Sequence, residues 1–139
     1  MNQQLIECVP NFSEGRDLGI IKQITNEIES VEGVKLLDVD PGAATNRTVV
    51  TFVGTPQAVV DAAFKAIVKA GELIDMSKHS GEHARMGATD VCPFIPVANI
   101  TMEETAKWAT TLAQKVGEST TIPVYLYGES QPNKNRDVL

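Results

Sequence analysis

Residues 34–52 read VKLLDVDPGAATNRTVVTF, with an apolar, β-branched run on each side of a turn-forming segment. Val34 to Val39 has the length and composition of a buried strand, and the turn residues Pro41 and Gly42 follow it. The run from Arg47 to Phe52 begins one tight loop later and is rich in β-branched residues. The two runs therefore predict a β-hairpin.

Six further elements are predicted around the hairpin from hydrophobic spacing and from helix-capping residues. The run at 91–97 contains Pro93 and Pro96, so it is predicted to be an edge strand or an irregular extended segment. In chain order the elements are a strand at 5–9 followed by a turn at 11–15, a helix at 17–31, a helix from Pro56 with Thr55 as its cap, the extended run at 91–97, a helix at 102–117 opened by a Thr101–Glu104 capping box, and a strand at 124–127.

This order, β-α-β-β-α-β-α-β, predicts an α/β protein of the α+β kind. The expected architecture is a two-layer sandwich related to ferredoxin-like, split βαβ arrangements, with the helices on one face of the sheet. At 139 residues the chain has the size of one domain. We expect that domain to span residues 1–128, and we expect the polar tail 129–139 to be a linker or a truncation point.

Composition restricts the possible partners. The net charge of −6 argues against a nucleic-acid ligand, because such binding depends on clustered Lys and Arg. No apolar run approaches the roughly 20 residues needed to cross a bilayer, and no secretory signal is visible at the N-terminus. A cytoplasmic protein without a membrane segment is the expectation, and its two cysteines, Cys8 and Cys92, are expected to be buried, reduced thiols.

Chemistry is most concentrated in residues 75–90, DMSKHSGEHARMGATD, which contain both histidines of the chain. Histidine can take and return a proton near neutral pH, and loops at strand ends often present reactive groups. A general acid/base is the functional interpretation. The simpler alternative is that both histidines are solvent-exposed loop residues.

The same segment matches an inverted zinc-peptidase pattern, H-x-x-E-H, between His79 and His83. That pattern needs a stable helix, and the central Ser80-Gly81 pair costs about 1 kcal/mol or more of helix propensity. No downstream helix offers a clear third ligand. We therefore expect no metal site.

Polar residues at the predicted strand ends could orient a catalytic histidine. They are Asn11, Ser13 and Glu14 after the first strand, and Asp38 and Asp40 after the second. Each of them could equally be a helix cap or a turn residue.

The amino-acid sequences of several segments resemble those of glutamate formiminotransferase. The segments occur in the family's order and cover nearly the whole chain. The matching blocks are 7–15 (ECVPNFSEG), 36–40 (LLDVD), 46–49 (NRTV), 51–54 (TFVG), 74–77 (IDMS), 81–83 (GEH), 85–88 (RMGA), 90–97 (DVCPFIPV) and 123–129 (PVYLYGE). One departure is Ala84, where the family usually has proline after the Gly-Glu-His block.

The resemblance implies a transferase that moves a formimino group between 5-formiminotetrahydrofolate and L-glutamate in histidine breakdown. It implies that His83, and not His79, shuttles protons, and that Asp40 belongs to the active site. Tetrahydrofolate would act as substrate or carrier, held between this subdomain and a C-terminal one. Charge and position make Arg47, Arg85 and Lys78 candidates for binding the acidic substrate groups, and Asn11 is a further substrate-binding candidate.

Two functional classes remain open from the sequence. One is the N-terminal half of the enzyme, and the other is a non-catalytic, half-length relative that acts as a folate-binding or assembly module. An unpaired strand edge would favour a homodimer in either case.

Overall fold

The computed structural model describes residues 3–74 and 89–119. Its strands and helices, in chain order, are β1 (Leu5–Cys8), β2 (Asn11–Phe12), α1 (Leu18–Glu29), β3 (Val34–Gly42), β4 (Arg47–Gly54), α2 (Pro56–Leu73), β5 (Thr89–Val91), β6 (Phe94–Ala98) and α3 (Met102–Ser119). None of the described helices combines the length and apolar character that crossing a bilayer requires.

The strands form one antiparallel sheet that is four positions wide. β1 and β2 both pair with the same edge of β4, and β6 and β5 pair with β1 and β2 in turn. β3 pairs with the other edge of β4. Because β4 lies between β1 and β3 and is antiparallel to both, the unit β1-α1-β3 is a split βαβ, which confirms the predicted ferredoxin-like arrangement.

The predicted hairpin is confirmed as β3 and β4. Its register runs from Val34 opposite Gly54 to Gly42 opposite Arg47, with an irregularity between Leu36 and Asp38. Asn46 closes the turn with a φ of 54°, a left-handed conformation that Asn tolerates better than most residues. Side chains therefore alternate between two faces along β4.

The three helices within residues 3–74 and 89–119 cover one face of the sheet, as predicted. Alternate residues of β4, including Val50 and Phe52, are fully buried on this side, and α2 contributes Val59 and Val60 to the same core. Ile24 and Ile28 from α1 and Leu112 and Val116 from α3 complete it. Burial of these apolar faces is what stabilises the helices against the sheet.

Of the two predicted helix caps, Thr101 forms its capping box and Thr55 does not, and Asp17, predicted as the first residue of a helix, caps α1 instead. The Asp17 carboxylate accepts hydrogen bonds from Gly19 N (3.0 Å) and Ile20 N (3.2 Å) at the start of α1. At α3 the capping box is formed. Glu104 N donates to Thr101 Oγ1 and Thr101 N donates to Glu104 Oε1, and both hydrogen bonds are 3.0 Å long. Thr55 occupies the cap position of α2, but its side chain makes no capping hydrogen bond.

Two predictions need correction. Residues 11 and 12 were expected in a turn, yet they form β2, because pairing with β4 on one side and β5 on the other outweighs the local turn propensity. The extended run at 91–97 is divided by Pro93 into two short strands, β5 and β6, at the edge of the described sheet. The strand predicted at 124–127 and the tail 129–139 lie outside the described residues.

Candidate active site

The sheet surface opposite the helices is called the open face here, because no described helix covers it. It is lined by the strand residues that alternate with the buried ones. Its middle strand β4 contributes the half-buried apolar residues Val49 and Val53, with Thr51 between them and Glu7 of β1 opposite Val53, whereas Asp38 and Asp40 on β3 are exposed. Apolar surface with a few polar and charged groups around it is the usual composition of a small-molecule site.

Three of the predicted site residues meet on this face around Val49. Asp40 lies opposite Val49 on one side, and Asn11 lies opposite Val49 on the other. The two are therefore two strand spacings apart, or about 10 Å. Arg47 precedes Val49 by two residues on the same strand, so its side chain leaves the same face about 7 Å further along.

The end of the sheet that carries Arg47 is held by the loop between β2 and α1. Gly15 N donates a 2.9 Å hydrogen bond to Asn46 Oδ1, and Arg16 Nε donates one of the same length to Ala43 O. A Cβ on Gly15 would lie 2.4 Å from Gly42 O and 2.6 Å from Arg47 N. The two backbones are thus in direct contact, and this contact fixes where β4 begins.

Glu14 is a turn residue, which was the alternative to a role in orienting the catalytic histidine. Its Oε2 accepts hydrogen bonds from Arg16 N (3.1 Å) and Asp17 N (2.9 Å) ahead of α1, and its carbonyl oxygen accepts from the Thr48 hydroxyl. The carboxylate is committed to the local backbone. Ser13 is buried, at 5% exposure, so neither residue presents a free polar group to the open face.

Four further candidates, His79, His83, Lys78 and Arg85, lie between Ile74 and Thr89, outside the described residues. The described chain stops at Ile74, which is buried at the end of α2. It resumes at Thr89, which pairs with Phe12 in the strand that carries Asn11. In the described ranges no three His, Cys, Asp or Glu side chains gather where they could hold a metal ion.

The structure also brings together the two cysteines, which the sequence separates by 84 positions. The Sγ atoms of Cys8 and Cys92 are 3.4 Å apart, and both thiols are free. Cys8 is buried as predicted, whereas Cys92 is only half-buried. Burial, with a smaller contribution from Cys92, raises the pKa of the Cys8 thiol well above its ordinary value of 9.0.

The raised pKa of Cys8 predicts a loss of stability in alkali. The folded chain keeps a proton that the unfolded chain releases above 9.0, so the stabilisation is complete below that pH and is lost as pH rises toward the folded pKa. The free energy of unfolding should fall by about 1.4 kcal/mol per pH unit from this group. Urea unfolding of the reduced wild type and of Cys8→Ala across this pH range tests the prediction. The difference in the free energy of unfolding between the two proteins should shrink as pH rises, and a constant difference would contradict the prediction.

Comparison with known proteins gives one family. Over residues 5–139 the sequence matches the family described as "Formiminotransferase domain, N-terminal subdomain". A Formimidoyltransferase-cyclodeaminase from Gallus gallus is 55% identical over 136 residues, which cover 98% of this chain and 25% of that protein.

Shorter relatives are also similar. Glutamate formimidoyltransferases from Thermoplasma acidophilum and Streptococcus pyogenes serotype M1 are 49% and 43% identical, and the matches cover 97% and 98% of this chain. They cover 45% and 46% of those two proteins. The chain thus spans between a quarter and just under half of the length of these relatives.

Proposed function

The chain belongs to the formiminotransferase family as an N-terminal subdomain, and from that membership we propose that it is one half of a glutamate formimidoyltransferase. Its reaction would transfer a formimino group between 5-formiminotetrahydrofolate and L-glutamate. The family match over residues 5–139 is the observation that carries the proposal. Relatives that are 49% and 43% identical are named for this activity.

The open face supports a site shared between two subdomains. Its half-buried apolar centre has no cover among the described helices, and a ligand lying on one such wall would keep half of its surface in water. More than half of each glutamate formimidoyltransferase relative lies outside the match. We propose that a C-terminal formiminotransferase subdomain supplies the opposite wall, with folate between the two.

The reaction requires a group that both accepts and returns a proton. The amine of glutamate must lose a proton to attack the formimino carbon, and N5 of the departing pterin must gain one. A single imidazole serves both steps, because it is basic enough to take the first proton and acidic enough to give it back. We assign this role to His83, with Asp40 stabilising the imidazolium.

Chain length allows this pairing. Asp40 lies three strand spacings from β5, about 14 Å. His83 precedes Thr89 of β5 by six positions, and six residue steps can span at most about 20 Å. The imidazole can therefore reach the part of the open face where Asn11, Arg47 and Asp40 lie.

Substrate binding is proposed for the cationic and amide groups nearest this region. Arg47 and Asn11 line the open face, and Lys78 and Arg85 flank His83 in the sequence. Arginine binds a carboxylate through two parallel hydrogen bonds, which suits the acidic groups of formiminoglutamate and of folate. In a chain with a net charge of −6, such a local set of cations is needed to hold an anion.

Two aspartates two positions apart provide a matched test of the site. Asp38 and Asp40 are both exposed on β3, opposite Thr51 and Val49 of the open face. Asp40→Asn, in a full-length transferase that carries this chain, should lower kcat by roughly a hundredfold, because the imidazolium loses its counter-charge. Asp38→Asn should change kcat less than about threefold, and equal losses in the two variants would exclude a specific role for Asp40.

The proposed activity itself is tested by joining this chain to a C-terminal formiminotransferase subdomain. Formiminoglutamate and tetrahydrofolate should then give glutamate and 5-formiminotetrahydrofolate. Calorimetric titration of the isolated chain with a reduced folate distinguishes the alternative. Folate binding without turnover in the joined protein would identify a non-catalytic binding module. The absence of both folate binding and turnover would contradict both functions.

We extend the proposal to the setting of the reaction. Histidine breakdown supplies formiminoglutamate, and the expected location is the cytoplasm. The outer edge of β3 has no partner within the described residues, and such edges favour pairing with a second copy. A homodimer is therefore expected, and light scattering of the purified protein measures it directly.

A further inference from the structure

The contact between Cys8 and Cys92 is not used by the proposed transferase chemistry. The two thiols are the only cysteines of the chain, and their Sγ atoms are 3.4 Å apart. Cys8 lies on the helix side of β1 with 0% exposure. Cys92 lies in the connection between β5 and β6, is half-buried and packs against the same core.

Strand pairing on both sides of the thiols holds them in place. Cys8 pairs with Phe94 across β1 and β6, and Val9 N donates a 3.2 Å hydrogen bond to Pro93 O. Asn11 pairs with Val91 just before Cys92. Backbone pairing of the flanking strands therefore places the two thiols in contact.

We propose that Cys8 and Cys92 form an oxidisable dithiol, which hydrogen peroxide or a related hydroperoxide converts into an intrachain disulfide. The sulfur atoms need to close from 3.4 Å to the bonding distance of about 2.05 Å. The two sulfurs are therefore already in contact before oxidation. This site is independent of the transferase activity.

Oxidation begins at Cys92, because it is the less buried of the two residues. Its sulfur attacks one peroxide oxygen, the O–O bond breaks, and the second oxygen leaves with the thiol proton as water. Cys92 is then a sulfenic acid. The sulfur of Cys8 attacks it, the S–O bond breaks as the S–S bond forms, and the proton of Cys8 leaves with the hydroxide as a second water. Two electrons pass from the sulfurs to one peroxide.

The environment of Cys8 suits it for the second step alone. Its burial keeps peroxide away and, by raising its pKa, keeps the thiol protonated. A protonated, shielded thiol is a poor first target and also a slower nucleophile than a thiolate, so the second step depends on the 3.4 Å contact with the Cys92 sulfur, which becomes electrophilic once it is oxidised. The sulfenic acid is thus captured within the chain before it can be oxidised further.

The bond would join two parts of the sheet near the candidate site. Cys8 precedes Val9, Pro10 and Asn11, and Cys92 directly follows β5, which pairs with Asn11. Formation of the S–S bond would draw Cys92, at the β5–β6 junction, toward Cys8 in β1.

Peptide mapping of the oxidised full chain tests the proposal. Folded protein is treated with hydrogen peroxide, digested without reductant and analysed by mass spectrometry. The expected products are a Cys8–Cys92 cross-linked peptide, an intact mass lower by about 2 Da, and complete reversal by dithiothreitol. Chain dimers, or sulfinic acid on Cys92 without the cross-link, would overturn it.

A trapping experiment supplies the control. Dimedone reacts with sulfenic acids, so in Cys8→Ala it should label Cys92 during peroxide treatment, whereas in wild type the neighbouring thiol should reduce that labelling at least about tenfold. Cys92→Ser should give neither label nor cross-link. Equal dimedone labelling of wild type and Cys8→Ala would show that Cys8 does not capture the intermediate, and it would overturn the proposal even if Cys8→Ala were less stable.

Discussion

Replacing His83 with Ala lowers the turnover of formiminoglutamate by about 10²–10⁴-fold in a full-length formimidoyltransferase that carries this chain. This is the range that general acid/base catalysis contributes, and here a single imidazole is assigned both proton transfers. The substrate KM should change much less than kcat, because the proposed role of the ring is at the reacting nitrogens and not in binding the carboxylates. Steady-state kinetics with formiminoglutamate and tetrahydrofolate measure both constants.

His79→Ala is the matched control, since it removes the other histidine of the chain from the same segment. It should leave kcat within about threefold of wild type, because the proposed proton transfers give His79 no role. If both variants turned over normally, the segment would hold no catalytic histidine. If His79→Ala were the inactive one, the assignment within the Gly-Glu-His block would be wrong.

Replacing Gly15 with Ala destabilises the fold by about 3 kcal/mol, near the upper end of the usual cost of overpacking. The added Cβ would lie 2.4 Å from Gly42 O and 2.6 Å from both Arg47 N and Arg47 O, and all three are backbone atoms. The backbone must therefore separate, which also removes the Gly15–Asn46 hydrogen bond. Urea unfolding and the thermal midpoint measure the loss, expected at roughly 10 °C.

Gly117→Ala is the same chemical change at a site with space for it. Gly117 lies in α3, and among the described residues no atom outside its own stretch of helix backbone is within 4 Å of a Cβ built there. The substitution should stabilise the chain by about 0.5–1 kcal/mol, because Ala restricts the unfolded chain more than Gly. A Gly15→Ala chain as stable as wild type would contradict the close packing between the β2–α1 loop and the hairpin.

Local sequence signals predicted most of the fold. Hydrophobic spacing located α1 and α2, the capping box located the start of α3, and the apolar runs around the turn located the hairpin. These features depend on residues close together in the chain, so their physics is visible in the sequence. β2 was missed because its two residues become a strand only through pairing with β4 and β5, which are distant in sequence.

The candidate site was predictable only in part, for the same reason. Strand-end polarity identified Asn11 and Asp40, but only the register shows that both flank Val49. The structural role of Asn46 beside the site was missed, because its hydrogen bond to Gly15 is a contact across 31 positions. An Asn just before a strand, after a Pro-Gly turn, was the available signal.

The contact between Cys8 and Cys92 had no signal in the sequence at all. Each cysteine reads as an ordinary apolar position, and only the pairing of β1 with β6 brings them together. Thr55 shows the opposite error, since a residue type typical of a helix cap occupies the cap position without making the capping bond. Residue preferences therefore locate elements better than they locate individual interactions.

The central claim is that the His83 imidazole lies over the open face and exchanges a proton between an amine and the pterin N5 beside Asp40. A crystal structure of a full-length transferase carrying this chain, with a folate and formiminoglutamate bound, tests it most directly. We expect an imidazole nitrogen within about 3.2 Å of the reacting nitrogen and within hydrogen-bond reach of Asp40, directly or through one water. A ring that points into bulk solvent, remote from the β3 carboxylates, would contradict the account.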